Sequence, residues 1–271
     1  MKNTVLPLDS LKEAVLQGQR NGCNELVLSG GEPTLYPEYI TELISLAVTS
    51  GYKKYIIQTN GYGLSRCEEL VSFLDHVAES TETCLSFSVH GHTADIHDDL
   101  SGNPNAFRSL IDAIDKVSKT HCKIYTNTVV NARNISHLND VAALLAPYKP
   151  EIMQFSMMHL KDQSKISVSL EDSVQAIKKL KGVVSPDILK TEGVPYCLLY
   201  GMETCVGESA WPTVLDLYNK DNDYRSDFKQ LDYGMRSKME SCNKCIMNKI
   251  CMGVWKEHFE EFSNMGIHPI G

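Results

Sequence analysis

Five apolar runs rich in β-branched residues recur along the first 160 residues, at 25–29, 55–58, 84–89, 123–130 and 152–157. This rhythm constrains the fold more than any other feature of the chain. Antiparallel strands join through tight turns, whereas parallel strands need a crossover of a dozen or more residues, usually a helix and nearly always right-handed. The gaps carry helical sequence. In one, Pro37 can occupy a first turn, Ile40, Leu43, Ile44 and Ala47 share a face, and Gly51 can close the helix. Another offers Asn103 as a cap before Pro104, with Phe107, Leu110, Ile111 and Ile114 on the buried stripe. Further helices are expected over residues 11–21, ahead of the first run, near 136–146 and near 171–180. The fold class predicted is α/β with a parallel sheet.

After the fifth run the pattern weakens, and residues 182–241 read as irregular. A domain boundary is therefore expected near Gly182, giving a main domain of residues 1–182 and a small appendage of residues 183–271 held by a metal. The net charge of −8 with no long basic run excludes a binder of nucleic-acid backbone. No apolar stretch approaches the ~18 residues of a membrane span, and the first nine residues lack signal-peptide regions, so a cytoplasmic protein with no membrane partner is expected. Nine cysteines, three of them clustered as Cys242, Cys245 and Cys251, suit metal chemistry better than a disulfide framework.

Three successive strand ends carry small and polar groups. The first ends in Ser29-Gly30-Gly31-Glu32-Pro33, the second in Thr59-Asn60-Gly61, the third in Ser88-Val89-His90-Gly91. Parallel α/β folds place ligands at such ends. Glycines let backbone groups approach a ligand, and Glu32 brings a negative charge suited to an ammonium group. Taken singly, Asn60 also suits a turn, His90 a partly buried packing position, and Asn127 a pairing with backbone.

In these motifs the chain resembles the radical S-adenosylmethionine (radical SAM) superfamily, across most of residues 8–160. The resemblance implies a partial (β/α)6 TIM-like barrel, S-adenosylmethionine as cofactor and a [4Fe-4S] cluster. On it, Gly30, Gly31, Glu32 and Pro33 match the turn that holds the methionine amino group after the second strand. Thr59, Asn60 and Gly61 match the end of the third, and Ser88 and His90 the fourth-strand position that reaches ribose and carboxylate. Asn127 on the fifth strand and residues 156–158 on the sixth fall where polar and adenine contacts are usual. No residue is assigned a catalytic role.

The family's Cys-x3-Cys-x2-Cys triplet, whose three thiolates leave one iron open, does not occur in this sequence. Only Cys23 precedes Gly30. The expectation is that the family's first strand and this triplet lie together upstream of Met1, so that strands 2 to 6 are present and the 271 residues alone do not cleave S-adenosylmethionine.

Cys242-x2-Cys245-x5-Cys251 is spaced to grip one metal centre. It resembles the SPASM and twitch appendages that hold auxiliary [4Fe-4S] clusters. Trp255 stands where the fuller SPASM pattern has another cysteine, which favours a single, twitch-like cluster. Cys197, in a Pro-x-Cys loop, is the expected fourth ligand and Cys205 its competitor. A zinc site built from the same sulfurs is the alternative, since the two metals share a thiolate preference. Cys67, Cys84 and Cys122 suit burial as small hydrophobes, and residues 256–261 suit a solvated helix face.

The resemblance implies an oxidoreductase-like enzyme that reductively cleaves S-adenosylmethionine to a 5'-deoxyadenosyl radical and modifies a peptide or protein, served by a reductant such as flavodoxin or ferredoxin. The tail from Gly266 through His268 to Ile270 is also similar to that of the radical SAM component of His-Xaa-Ser peptide-maturation systems. The competing reading is a non-catalytic scaffold that binds S-adenosylmethionine or a peptide and keeps a structural zinc or iron-sulfur site.

Overall fold

The structure is a computed structural model that describes residues 5–159, 165–210, 217–218, 224–225, 234–267 and 269–271. Six strands form one sheet in sequential order, β1 (Glu25–Leu28), β2 (Lys54–Thr59), β3 (Glu82–Ser88), β4 (Lys123–Val130), β5 (Ile152–Met157) and β6 (Leu189–Glu192). The pairs β1/β2, β2/β3, β4/β5 and β5/β6 are parallel in register. The helices are α1 (Leu8–Arg20), α2 (Pro37–Thr49), α3 (Glu68–Ala78), α4 (Ala94–Ser101), α5 (Ala106–Val117), α6 (Leu138–Leu145) and α7 (Leu170–Lys178). The α/β class and the parallel, TIM-like succession of strands are therefore present.

The chain divides into two compact units. The first comprises Met1–Ser88, Arg108–Ile124 and Pro212–Leu231. Its core is built from the face of α2 that the 3.6-residue period predicts (Ile40, Leu43, Ile44, Ala47) and from Ile57, Leu85, Phe87, Leu110 and Ile114, each at most 3% exposed. Each such side chain contributes about 1.5–3 kcal/mol by leaving water. The second unit comprises Val89–Phe107, Tyr125–Trp211 and Asp232–Gly271, with Val130, Phe155, Val174, Leu189, Val254 and Phe262 buried. It also holds the short antiparallel pair β9 (Arg236–Ser237) and β10 (Val254–Trp255), and α8 (Phe259–Asn264). The remaining two-stranded ribbon is β7 (Leu217–Tyr218) with β8 (Tyr224–Arg225).

Four local expectations are corrected. Residues 182–241 are not irregular throughout, because β6 lies among them and pairs with β5 from Met153↔Leu189 to Ser156↔Glu192. The start of α5 is not capped by the Asn103 side chain. Asp98 does this from α4, accepting from Asn105 N and Phe107 N, both at 2.7 Å. Helix α4 itself was not anticipated. Residues 256–261 are not simply a solvated face: His258 is 2% exposed, and Glu261 accepts from Leu170 N (2.8 Å) and Glu171 N (3.1 Å), filling two of the open donors at the start of α7. His268 lies outside the described residues. No described helix is long and apolar enough to cross a membrane.

Candidate functional site

In the first unit, β1 runs into the Gly30-Gly31 turn with φ of 85° and 47°. These left-handed values suit glycine, and a Cβ built on either residue would meet nothing within 4 Å, so the turn faces open space. Glu32 follows with extended backbone, and its carboxylate binds the end of β1 to the end of β2. Oε1 accepts from Thr34 N (3.0 Å), the Thr34 hydroxyl and the Thr59 hydroxyl (2.7 Å), while Oε2 accepts from Asn60 N at 2.6 Å. A carboxylate offers about four lone-pair sites. Oε1 is filled, and Oε2 has room for one more donor.

Thr59 Oγ1 also accepts from Gly61 N (2.9 Å), and Asn60 Oδ1 accepts from Tyr62 N (2.9 Å), so the Asn60 side chain forms its own turn. Gly61 is required by close approach: a Cβ there would lie 3.1 Å from Leu110 Cα and from Ala113 Cβ. Pro33 opens a single 3-10 turn, Pro33–Leu35. Ser88 ends β3, half-buried.

In the second unit, His90 follows β3. Its backbone N donates to His97 Nδ1 (3.1 Å), its carbonyl accepts from Asn134 Nδ2 (3.0 Å), and its ring stacks on His97 with centroids 5.2 Å apart. Burial lowers the His90 pKa. It lowers that of His97 to about 4, helped by His90. Both are therefore neutral near pH 7, and the bond from His90 N makes Nδ1 of His97 the acceptor. Asn134, fully buried, also donates to Val129 O (2.9 Å) and accepts from Asn131 N (2.9 Å). His97 and Asn134 thus hold the His90 loop, and neither was singled out from sequence. Asn127 on β4 and Ser156 on β5 approach to 2.8 Å (Oδ1 to Oγ), with Glu192 Oε2 2.9 Å from the same hydroxyl. Met158 O lies 3.1 Å from His258 Nε2.

Also in the second unit, Cys197, Cys242, Cys245 and Cys251 line one pocket together with Pro195, Met239, Phe262 and other largely apolar residues. Burial pushes the Cys197 thiol up to about 12, and its three cysteine neighbours push the same way. Burial also raises Cys251, against a bond from Gly253 N to its sulfur at 3.4 Å. Such a donor set fits a thiolate-bound metal centre, whose positive charge offsets both burial and mutual repulsion. Zinc and an iron-sulfur centre share this thiolate preference.

Cys205 is buried elsewhere, with its Sγ 3.9 Å from Pro186 O. Trp255 is 2% exposed, covered by Arg236 at 3.5 Å and by His159 at 3.7 Å. Cys84 and Cys122 are buried, and burial raises Cys122 to about 11.

Comparison with known proteins shows the family. The family model described as the Radical SAM superfamily matches residues 2–145. An AdoMet-dependent heme synthase of Methanosarcina barkeri (strain Fusaro / DSM 804) is 29% identical over 133 residues, 49% of this chain and 36% of that protein. This chain thus spans about a third of that relative's length. Among solved structures, native anSMEcpe with bound AdoMet and the Kp18Cys peptide aligns over 94% of this chain and 82% of its own, with a TM-score of 0.62 at 18% identity. Streptococcus suis SuiB bound to S-adenosylmethionine aligns over 96% and 68%, with a TM-score of 0.65 at 15% identity. At such identities the structures speak for the fold alone, while the family model covers more than half the sequence: the chain belongs to the radical SAM superfamily.

Proposed function

We propose that this chain binds S-adenosylmethionine at its strand ends and serves its reductive cleavage, with a peptide or protein as the substrate modified. When bound, an iron-sulfur cluster supplies the electron for that cleavage, and S-adenosylmethionine supplies the 5'-deoxyadenosyl group that abstracts hydrogen. The chain's own residues bind and orient. The open position on Glu32 Oε2 accepts the methionine ammonium, while Asn60 N and Thr59 keep the carboxylate from turning away. Gly30 and Gly31 expose backbone beside it, with Pro33 and Gly61 fixing the ends of their turns. Ser88 and His90 take the ribose and carboxylate, and Asn127 a further polar contact. In this reading residues 1–182 carry S-adenosylmethionine. Residues 183–271 carry one auxiliary [4Fe-4S] cluster on Cys197, Cys242, Cys245 and Cys251, although β6 of the sheet falls in that stretch.

One observation carries the reading: the Oε2 of Glu32, with a single donor, beside an open glycine turn. Calorimetry with S-adenosylmethionine tests it. Glu32→Ala removes a charge-assisted bond and should weaken binding about ten- to a hundredfold. Unchanged affinity in a variant that keeps its circular dichroism would sink the proposal.

The peptide substrate is supported by the cysteine spacing and by the peptide bound to anSMEcpe. A flavodoxin or ferredoxin is the proposed electron donor. The scaffold reading is favoured by one sequence fact: the 271 residues contain no Cys-x3-Cys-x2-Cys. Measuring 5'-deoxyadenosine after anaerobic reconstitution and dithionite reduction, in the 271-residue chain and in a form extended by the upstream residues, separates the two: the enzyme reading expects it from the extended form, the scaffold reading from neither. Its formation by the 271-residue chain would overturn the expectation that these residues alone are inactive.

A further inference from the structure

Within the second unit, three side chains outside the site described above point at one spot. His92 lies in the loop between β3 and α4, His137 ends the 3-10 turn Ile135–His137 after β4, and Asp140 sits in the first turn of α6. His137 Nδ1 is 3.0 Å and His92 Nε2 3.9 Å from the same atom, Asp140 Oδ2, and the two rings are 4.8 Å apart. One ligand atom from each residue lies within 4.8 Å of the others, the one group of this kind among the described residues. Two imidazoles and one carboxylate oxygen, bound at about 2.0–2.2 Å around a tetrahedral ion, would stand roughly 3.3 Å apart. The observed separations bracket that value.

The positions are held from behind. A Cβ on Gly91 would lie 2.5 Å from Ile96 Cγ2, so the backbone leading into His92 is seated against α4. His137 N donates to Asn134 O (2.8 Å), and buried Asn134 fixes that turn. His92 Nδ1 is buried with no partner among the described residues, which leaves Nε2, 3.9 Å from Asp140 Oδ2, as the nitrogen on the side of the cluster.

We propose that His92 Nε2, His137 Nδ1 and Asp140 Oδ2 are three protein ligands of a divalent transition-metal ion of the zinc or iron(II) kind, with a further position open. Three nitrogen and oxygen ligands with one vacancy characterise zinc sites that exchange water for a substrate group, unlike closed structural sites. The ion would sit beside loops leaving two strands at their carboxyl ends, where an imidazole, thiol or carboxylate of a bound substrate can complete its shell. This inference does not depend on the S-adenosylmethionine reading.

Cobalt(II) is the probe, since it substitutes for zinc and reports its donors by colour. Titrated into the purified full chain, it should fill one site whose visible bands lack thiolate charge transfer. Asp140→Asn changes an exposed side chain and should fold normally, yet weaken that cobalt by more than about a hundredfold, beyond the roughly ten- to hundredfold loss of an outer-shell group. His137→Gln should do the same. Cobalt taken up by the cysteines would announce itself by charge-transfer absorption that Asp140→Asn leaves alone, so the two sites are read separately. Equal binding of the nitrogen- and oxygen-ligated ion by wild type and Asp140→Asn, or cobalt bound at sulfur only, would overturn the proposal.

Discussion

Arg236 Nη1 lies 2.9 Å from Glu208 Oε1, with the two side chains 1% and 2% exposed. Gly193 N donates to the same oxygen at 2.6 Å. Burial pushes the Glu208 carboxyl up from its ordinary range, and Arg236 opposes that shift. Breaking a buried pair by removing one partner strands a charge, at a cost of about 3–5 kcal/mol. Arg236→Met should therefore destabilise the protein by that order at pH 7, measured by denaturant unfolding. The deficit should shrink in acid, because a raised carboxyl pKa favours the fold below the unfolded value and loses that contribution as pH rises. Glu208→Gln with Arg236→Met should be less destabilised than Arg236→Met alone. A purely additive double variant would show that the pair is not coupled.

His97 gives a second pH dependence of opposite sense. It is 1% exposed, and its pKa falls from 6.5 to about 4. The fold selects the neutral ring, so its contribution is complete above about pH 6.5. It declines as the pH falls and is gone once the pH has passed through the folded value. The difference amounts to roughly 3 kcal/mol. His97→Asn keeps an acceptor for His90 N without the titration. Unfolding curves at pH 7 and pH 4 should converge in this variant relative to wild type; an unchanged pH slope would remove His97 from the account.

The strands were legible because each apolar run is long enough to bury a face and sits at crossover spacing. β6 was not, because Leu-Lys-Thr-Glu has one apolar residue in four, and its burial alternates between Leu189 and Thr191 only once β5 is beside it. Helix α4 was hidden for a similar reason: among its residues only His97 is buried. The strand-end motifs were legible as candidate ligand positions, since small and polar groups cluster at the carboxyl ends of successive strands. How Glu32 is held by Thr34, Thr59 and Asn60 could not be read locally, because the donors come from two strand ends nearly thirty residues apart. His92 and Asp140, nearly fifty residues apart in sequence, raise the same difficulty.

Glu261 should be felt at a distance in sequence. Its carboxylate accepts from Leu170 N and Glu171 N, and a carboxylate at a helix start also meets the positive end of the helix dipole. Glu261→Ala should cost about 1–2 kcal/mol, as other lost caps do, while Glu260→Ala on the same helix should be nearly neutral. Equal effects would mean that helicity of α8, and not the cap, is what counts.

The cysteine pocket gives the last prediction. Cys197 comes from a 3-10 turn just after β6, while Cys242 and Cys245 bracket the end of another and Cys251 precedes β10. Separate segments converge on a lining that is otherwise largely apolar. Such a pocket gains little from buried thiols alone, and the pressure of burial on Cys197 and Cys251 shows how poorly an unliganded thiolate would fare there. Four cysteines on one pocket can supply one thiolate to each iron of a [4Fe-4S] centre, which is the centre proposed here. Anaerobic reconstitution should therefore give about four irons and four sulfides per chain. Cys197→Ser should lose iron along with Cys242→Ser and Cys251→Ser, whereas Cys205→Ser should retain it, because Cys205 faces Pro186 O. One zinc and no iron would refute the cluster, and iron lost on Cys205→Ser but kept on Cys197→Ser would exchange the fourth ligand.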